Sequence, residues 1–173
     1  MDMSLEGILE SKKDVVLKRW FQHIIDTYPE QTSQFLKREK NPFANPVGAA
    51  VYEGIEGVYG ELARDLDRER VAPALDRIIR IRAVQDFPPS GAVGFVFPLK
   101  RLLREALEED LRKDRVTEGD LASLDRRIEE LALLAFDVYT ECREKIFEIR
   151  VNEVKARSHR LLQRANLIVE DPD

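Results

Sequence analysis

The chain has a single cysteine, Cys142, in 173 residues, which excludes any intramolecular disulfide and any cysteine-based metal cluster. Its two histidines, His23 and His159, lie far apart, and neither has a glutamate three residues before it. The HExxH spacing and the Glu-x-x-His carboxylate-metal spacing of helical bundles are therefore both missing. So are a nucleophile elbow and a phosphate-cradling glycine loop followed by Lys and Ser or Thr. Glu108, Glu109 and Asp110 are adjacent acids, but neighbours on a helix fan out rather than converge. No apolar run approaches the roughly 20 residues of a membrane span, and Met1 to Glu10 has neither a basic start nor an apolar stretch. A formal charge of −5 supplies no global attraction for nucleic acid. The expectation is a cytoplasmic protein that is not an enzyme and has no cofactor, metal, membrane or nucleic-acid partner.

What is present reads as helix throughout. With 43% apolar and 35% charged residues the chain is long enough to bury one core. Leu5, Ile8, Leu9, Val16, Trp20, Ile24 and Tyr28 recur at three- and four-residue intervals and stop at Pro29, and a short helix is expected over Gln31 to Lys40. "NPFANPVG", Asn41 to Gly48, has two Asn-Pro steps and reads as an ordered loop. A third helix follows with the stripe Val51, Ile55, Val58, Leu62 and Leu66. It also carries Gly54, Gly57 and Gly60, each costing up to about 1 kcal/mol relative to Ala. Glycines in that density imply that another backbone, or a ligand, comes close.

The fourth helix, about Val71 to Asp86, holds the oddest residues. At 100° per residue, Arg80 points away from the apolar arc, whereas Arg82 and Gln85 fall within it and Asp86 lies beside them. A buried guanidinium needs partners, and Asp86, four residues on, is the nearest candidate. Two readings stand. In one, Arg82 pairs with Asp86 while Gln85 bonds the Phe87 to Ser90 turn, pinning two helices. In the other, part of this polar set faces a cavity and holds an acidic or polar ligand. Ser90 is suited to cap a helix from Gly91 to about Lys113, which Pro98 should kink so that Phe95 and Phe97 splay from a regular packing surface.

Thr117 and Asp120 open the last helix, which meets no proline before Pro172. Run unbroken to Ala165 it is about 73 Å long, against about 40 Å for a compact domain of this size, so it must break or protrude. Leu121, Leu124, Ile128, Leu131, Ala135, Val138, Cys142 and Ile149 repeat at close to seven, which favours protrusion with a partner. Cys142, on that stripe, reads as a buried small hydrophobe. Arg143 to Arg164 is locally basic but lacks interleaved aromatics, so it reads as a solvated helix rather than a nucleic-acid surface.

"RWFQHIIDTYP" (Arg19 to Pro29), "NPFANPVG" (Asn41 to Gly48) and "RIRAVQDFPPSGAVGFVFPLK" (Arg80 to Lys100) together resemble the RsbRD N-terminal domain family, the regulatory part of RsbT co-antagonist proteins. The resemblance implies an all-α input domain, similar in plan to the haem-free globin-like N-domains of stressosome RsbR proteins, which dimerise and send a long helix towards a STAS domain. Only "NLIVEDPD" follows Ala165, so no STAS domain, phosphoacceptor or kinase-binding surface carries over, and His23 is not read as a haem ligand. The expected architecture is a globin-like or bundle domain of about five to six helices over residues 1–150, with residues 151–173 as helix extension and acidic tail. The expected function is to sense a small ligand or partner and to signal through a long dimerising helix; the alternative is an adaptor that binds a regulatory protein through that helix, without a ligand. Arg82, Gln85, Asp86, Phe95, Gly54 and Gly57 are the candidate ligand-binding residues.

Overall fold

The computed structural model describes residues 4–165, and among these every regular element is a helix. They run α1 (Leu5–Ile25), α2 (Glu30–Arg38), α3 (Pro46–Ala63), α4 (Arg68–Val84), α5 (Pro89–Val93), a 3-10 turn (Gly94–Val96), α6 (Pro98–Ala106), α7 (Glu108–Arg112) and α8 (Glu118–Arg164). Six have nine residues or more, and α5 and α7 are short connectors. "NLIVEDPD" lies outside the described residues.

The helix starts follow from their caps. Ser4 Oγ accepts from Gly7 N at the start of α1, and Asn45 Oδ1 accepts from Gly48 N at the start of α3. Asn45 also donates through Nδ2 to the carbonyls of Leu36 and Glu39, which ties the Asn-Pro loop to the end of α2. Thr117 and Asp120 form a reciprocal capping box at α8.

One core fills the space between α1, α3, α4, α6 and the first half of α8, with Trp20, Tyr59, Ile24, Leu75 and Ile78 fully enclosed. Trp20 Nε1 donates to Phe95 O at 2.7 Å and Tyr59 Oη to Leu9 O at 2.9 Å, so both large side chains enter the core with their polar atoms satisfied. Helices α3 and α4 meet most closely at the glycine face. A Cβ on Gly54 would stand 2.6 Å from Ile78 Cγ1 and 2.9 Å from Ala74 O, and one on Gly57 would stand 2.9 Å from Ala74 Cβ. The neighbour these glycines admit is another helix. Gly60 has nothing within 4 Å.

The segment after the double proline departs from the expected single kinked helix. Pro89, not Gly91, opens α5, and Ser90 makes no capping bond. The chain then tightens through a 3-10 turn, and Pro98 sits in the first turn of α6, where its missing N–H costs nothing. The two phenylalanines part: Phe95 is buried against Trp20 with ring centroids 6.0 Å apart, and Phe97 is exposed.

The stripe Leu121, Leu124, Ile128, Leu131, Ala135, Val138 and Cys142 is buried against the chain's own body, chiefly α4 and the α5 segment. It is the inner face of the domain rather than a seam for a partner, because an amphipathic helix carries the same spacing in either setting. Helix α8 still protrudes. It spans 47 residues, about 70 Å, and beyond Cys142 every side chain through Ala165 is exposed or only partly covered.

Candidate functional site

Arg82 is 0% exposed and sits at the centre of the molecule's polar interior. Its Nη1 donates to Gly91 O at 2.6 Å, and its Nη2 donates to Ile24 O at 3.2 Å and to Thr27 Oγ1 at 2.9 Å. Thr27 Oγ1 itself donates to Ile24 O at 2.7 Å. Three aromatic rings surround the guanidinium carbon, Phe87 at 4.8 Å, Phe95 at 5.5 Å and Tyr28 at 5.6 Å from centroid. Among the described residues no carboxylate reaches this cation. Its counter-charge is spread over carbonyls at the C-terminal ends of α1 and α5, where helix dipoles are negative, and over three ring faces. Burial pulls the Arg82 pKa below the usual arginine range and pushes the Tyr28 phenol above its own, while each group's charge opposes the other's shift. Arg82 Nε and Tyr28 Oη are left without a hydrogen-bond partner.

The expected partner does something else. Helix α4 ends at Val84, Gln85 is its exposed C-cap, and Asp86 turns left-handed with φ of 57°. Phe87 N then donates back to Arg82 O at 3.1 Å, closing a Schellman-type helix end, with the Phe87 ring over the guanidinium as its cover. The left-handed residue takes Asp86 off the helical wheel, so its carboxylate leaves the interior and pairs with Arg143 at 3.0 Å and Arg150 at 4.0 Å on α8. The inward placement of Gln85 and Asp86 and the Arg82–Asp86 pair are thereby corrected.

This turn is fastened to α8 at three points. Tyr139 Oη donates to Phe87 O at 2.9 Å, Arg143 Nη1 donates to Ala83 O at 3.0 Å, and the same Nη1 meets Asp86. The sequence reading missed Tyr139, Arg143 and Arg150; the signal it had was two arginines spaced seven apart on a helix. Next to them, Cys142 donates weakly to Asp76 at 3.7 Å, and burial first, then Asp76, pushes its thiol pKa up. Both causes favour the unreactive thiol over the thiolate.

Of the six candidate ligand residues, the structure brings Arg82 and Phe95 together, turns Gln85 and Asp86 to the surface, and sets Gly54 and Gly57 against α4. An open cleft lies elsewhere. It has a volume of about 720 Å³ between α1, the α2–α3 loop and α3, with Lys18, Phe21, Lys40, Asn45 and Tyr52 on its walls. The Phe21 and Tyr52 rings meet edge to face at 5.8 Å within it. A shallower depression of about 520 Å³ lies on α1 and α6 around Arg19, His23 and Arg101. Among the described residues no group of three His, Cys, Asp or Glu is placed to hold a metal ion, and no helix is long and apolar enough to cross a membrane.

Comparison with known proteins agrees with the motifs. An uncharacterized protein of Archaeoglobus fulgidus is 33% identical over 87 residues, which is 50% of this chain and 53% of the relative, so the match spans about half of each. No solved structure gives a significant match. Residues 14–154, from α1 to beyond the point where α8 leaves the body, match the family described as the RsbT co-antagonist protein rsbRD N-terminal domain, and the chain belongs to that family.

Proposed function

We propose that this chain is a non-enzymatic regulatory input domain that works as a homodimer and hands its state to a regulatory partner protein through α8. One observation carries the reading. The α4–α5 turn is held on its inner side by Arg82 and on its outer side by Tyr139 and Arg143, so a shift at either side is felt at the other. Arg82 in turn holds the end of α1 through Ile24 and Thr27. Helix α1 also forms a wall of the 720 Å³ cleft, which makes that cleft the natural entry for an effector. Lys18, Lys37 and Lys40 share its walls with Asp14, Glu39 and Glu53, and together with the Phe21 and Tyr52 rings this mixed lining suits a small organic acid that has an apolar body and a positive group of its own. Membership of a family named for the N-terminal domain of an RsbT co-antagonist supports the same class of role.

The adaptor reading, in which no ligand exists, is favoured by a different fact: the Arg82 guanidinium commits its Nη atoms to Gly91 O, Ile24 O and Thr27 Oγ1, and Arg82 lines neither cleft. Hydrogen exchange on the full chain tests the relay. Thr27→Val removes one acceptor from Arg82, and faster exchange over Tyr139 to Arg150 is expected, far from the substitution. A change confined to α1 and α5 would discard the relay. A thermal-shift screen with small organic acids separates the two readings: hits abolished by Tyr52→Ala support the sensor, and an empty screen leaves the adaptor.

A further inference from the structure

Six charged side chains line the 720 Å³ cleft, and three of them are already engaged. Lys37 pairs with Asp26 at 2.5 Å, Glu53 pairs with Arg77, and Glu39 Oε1 accepts from Asn41 N at 2.8 Å. Two neutral polar side chains are engaged too. Gln22 Nε2 donates to Asp26 at 3.2 Å, and Asn45 bonds Gly48 N and the carbonyls of Leu36 and Glu39. Asp14, Lys18 and Lys40 remain, and among the described residues none of the three makes an ion pair or a side-chain hydrogen bond.

The placement of these three is specific. Asp14, Lys18 and Phe21 follow one another at four and three residues on α1, so they share one face about 10 Å long. An aspartate four residues before a lysine is spaced to pair with it, yet these two do not, and each keeps its charge available to a third group. Lys40 comes from the α2–α3 loop, a second wall. Of the two depressions it borders only this one, whereas Lys18 also reaches the shallower one on α1 and α6. From α3 the third wall brings Gly48, Ala49 and Tyr52, two small residues beside a ring, and the Tyr52 and Phe21 rings meet edge to face at 5.8 Å. Such a pair with open space beside it accepts a further apolar group or ring.

Resting on the ligand reading above, we infer that the cleft takes an α-amino acid with a large apolar side chain. Its ammonium goes to Asp14, its carboxylate to Lys18 and Lys40, and its side chain to the Phe21 and Tyr52 rings. The ligand is neutral overall, which matches a lining of three acids and three bases. A plain carboxylic acid would leave Asp14 unpaired beside it, and a plain amine would leave the two lysines so. Asp14 and Lys18 are rooted about 5–6 Å apart, so the ammonium and carboxylate have to sit close together on the ligand, as they do on one α-carbon. Three points of attachment that are not in line also distinguish the two mirror forms.

Titration calorimetry on the full chain tests each point with a probe that lacks it. L-phenylalanine carries all three; 3-phenylpropionate lacks the ammonium, phenethylamine the carboxylate and L-alanine the ring. L-phenylalanine is expected to bind, and each truncated probe to bind about tenfold more weakly or worse. Asp14→Asn, at an exposed position, is expected to weaken L-phenylalanine and leave 3-phenylpropionate unaffected. Lys40→Gln is expected to weaken L-phenylalanine and leave phenethylamine unaffected. Equal affinity for L-phenylalanine and 3-phenylpropionate, or for L- and D-phenylalanine, overturns the inference and leaves a cleft for plain acids. Binding of no probe, while organic acids of another kind give hits abolished by Tyr52→Ala, overturns the inference alone. No binding here and an empty organic-acid screen remove the ligand reading on which it rests.

Discussion

The Phe87 ring lies 4.8 Å from the Arg82 guanidinium carbon while the Phe87 carbonyl accepts the Tyr139 hydroxyl at 2.9 Å. One residue thus covers the buried cation and anchors the long helix. That arrangement makes the interior of α1, α4 and α5 continuous with the surface of α8, and it gives the polar interior a measurable worth.

Arg82→Ala is expected to destabilise the fold by about 3 kcal/mol or more, because it opens a cavity and removes the donor to Gly91 O, Ile24 O and Thr27 Oγ1. Arg82→Met fills most of the volume and removes the need to bury a charge, so its cost should be smaller. Urea unfolding of the two variants checks the order. Equal loss in both would mean that the hydrogen bonds, not the packing, carry the effect.

Two glycines of α3 should respond in opposite directions to the same change. Gly54→Ala drives a methyl into Ile78 and the Ala74 carbonyl, an overpacking cost of about 1–3 kcal/mol. Gly60→Ala meets nothing and gains helix propensity, up to about 1 kcal/mol of stabilisation. Thermal melts of the pair read the sign.

The start of α8 is sensitive to acid. Asp120 accepts from Thr117 N at 2.8 Å and from Thr117 Oγ1 at 2.7 Å, and these bonds, the backbone one first, hold its carboxyl below the usual range. A carboxyl depressed on folding contributes stability that is full above its unfolded value, about pH 4, and is lost as pH falls through the folded value. Asp120→Asn should therefore flatten the acid limb of a stability profile between pH 3 and 7. At neutral pH, Asp120→Ala should cost about 1 kcal/mol, the usual worth of a cap. An unchanged acid limb would assign it to other carboxylates.

The helical periodicity placed Arg82 inside and Arg80 outside, and both are so. It failed at Asp86 for a definite reason. A wheel extends the helix indefinitely, whereas a non-glycine residue with positive φ ends it, and the sequence "VQDFPP" carries no glycine to announce that position. The glycines of α3 promised a close neighbour, and only the packed structure says that the neighbour is α4. Pro98 marked a break but not its form, since the same proline suits a kink or a fresh helix start. The inner stripe of α8 was legible as apolar, but a seven-residue spacing does not tell a body from a partner. The 720 Å³ cleft left the faintest trace, because its walls come from three segments whose residues read singly as ordinary surface.

Beyond Val151 the last three to four turns of α8 are helical, yet every side chain there is exposed. Their unwinding is therefore thermodynamically separate from melting of the core. In the homodimer proposed above, cover from a second copy would add stability that scales with the logarithm of protein concentration. In the proposed homodimer the amount of helix would vary with protein concentration, and a dilution series followed by circular dichroism at 222 nm reads it; a signal that does not change on dilution counts against α8 as the covered element.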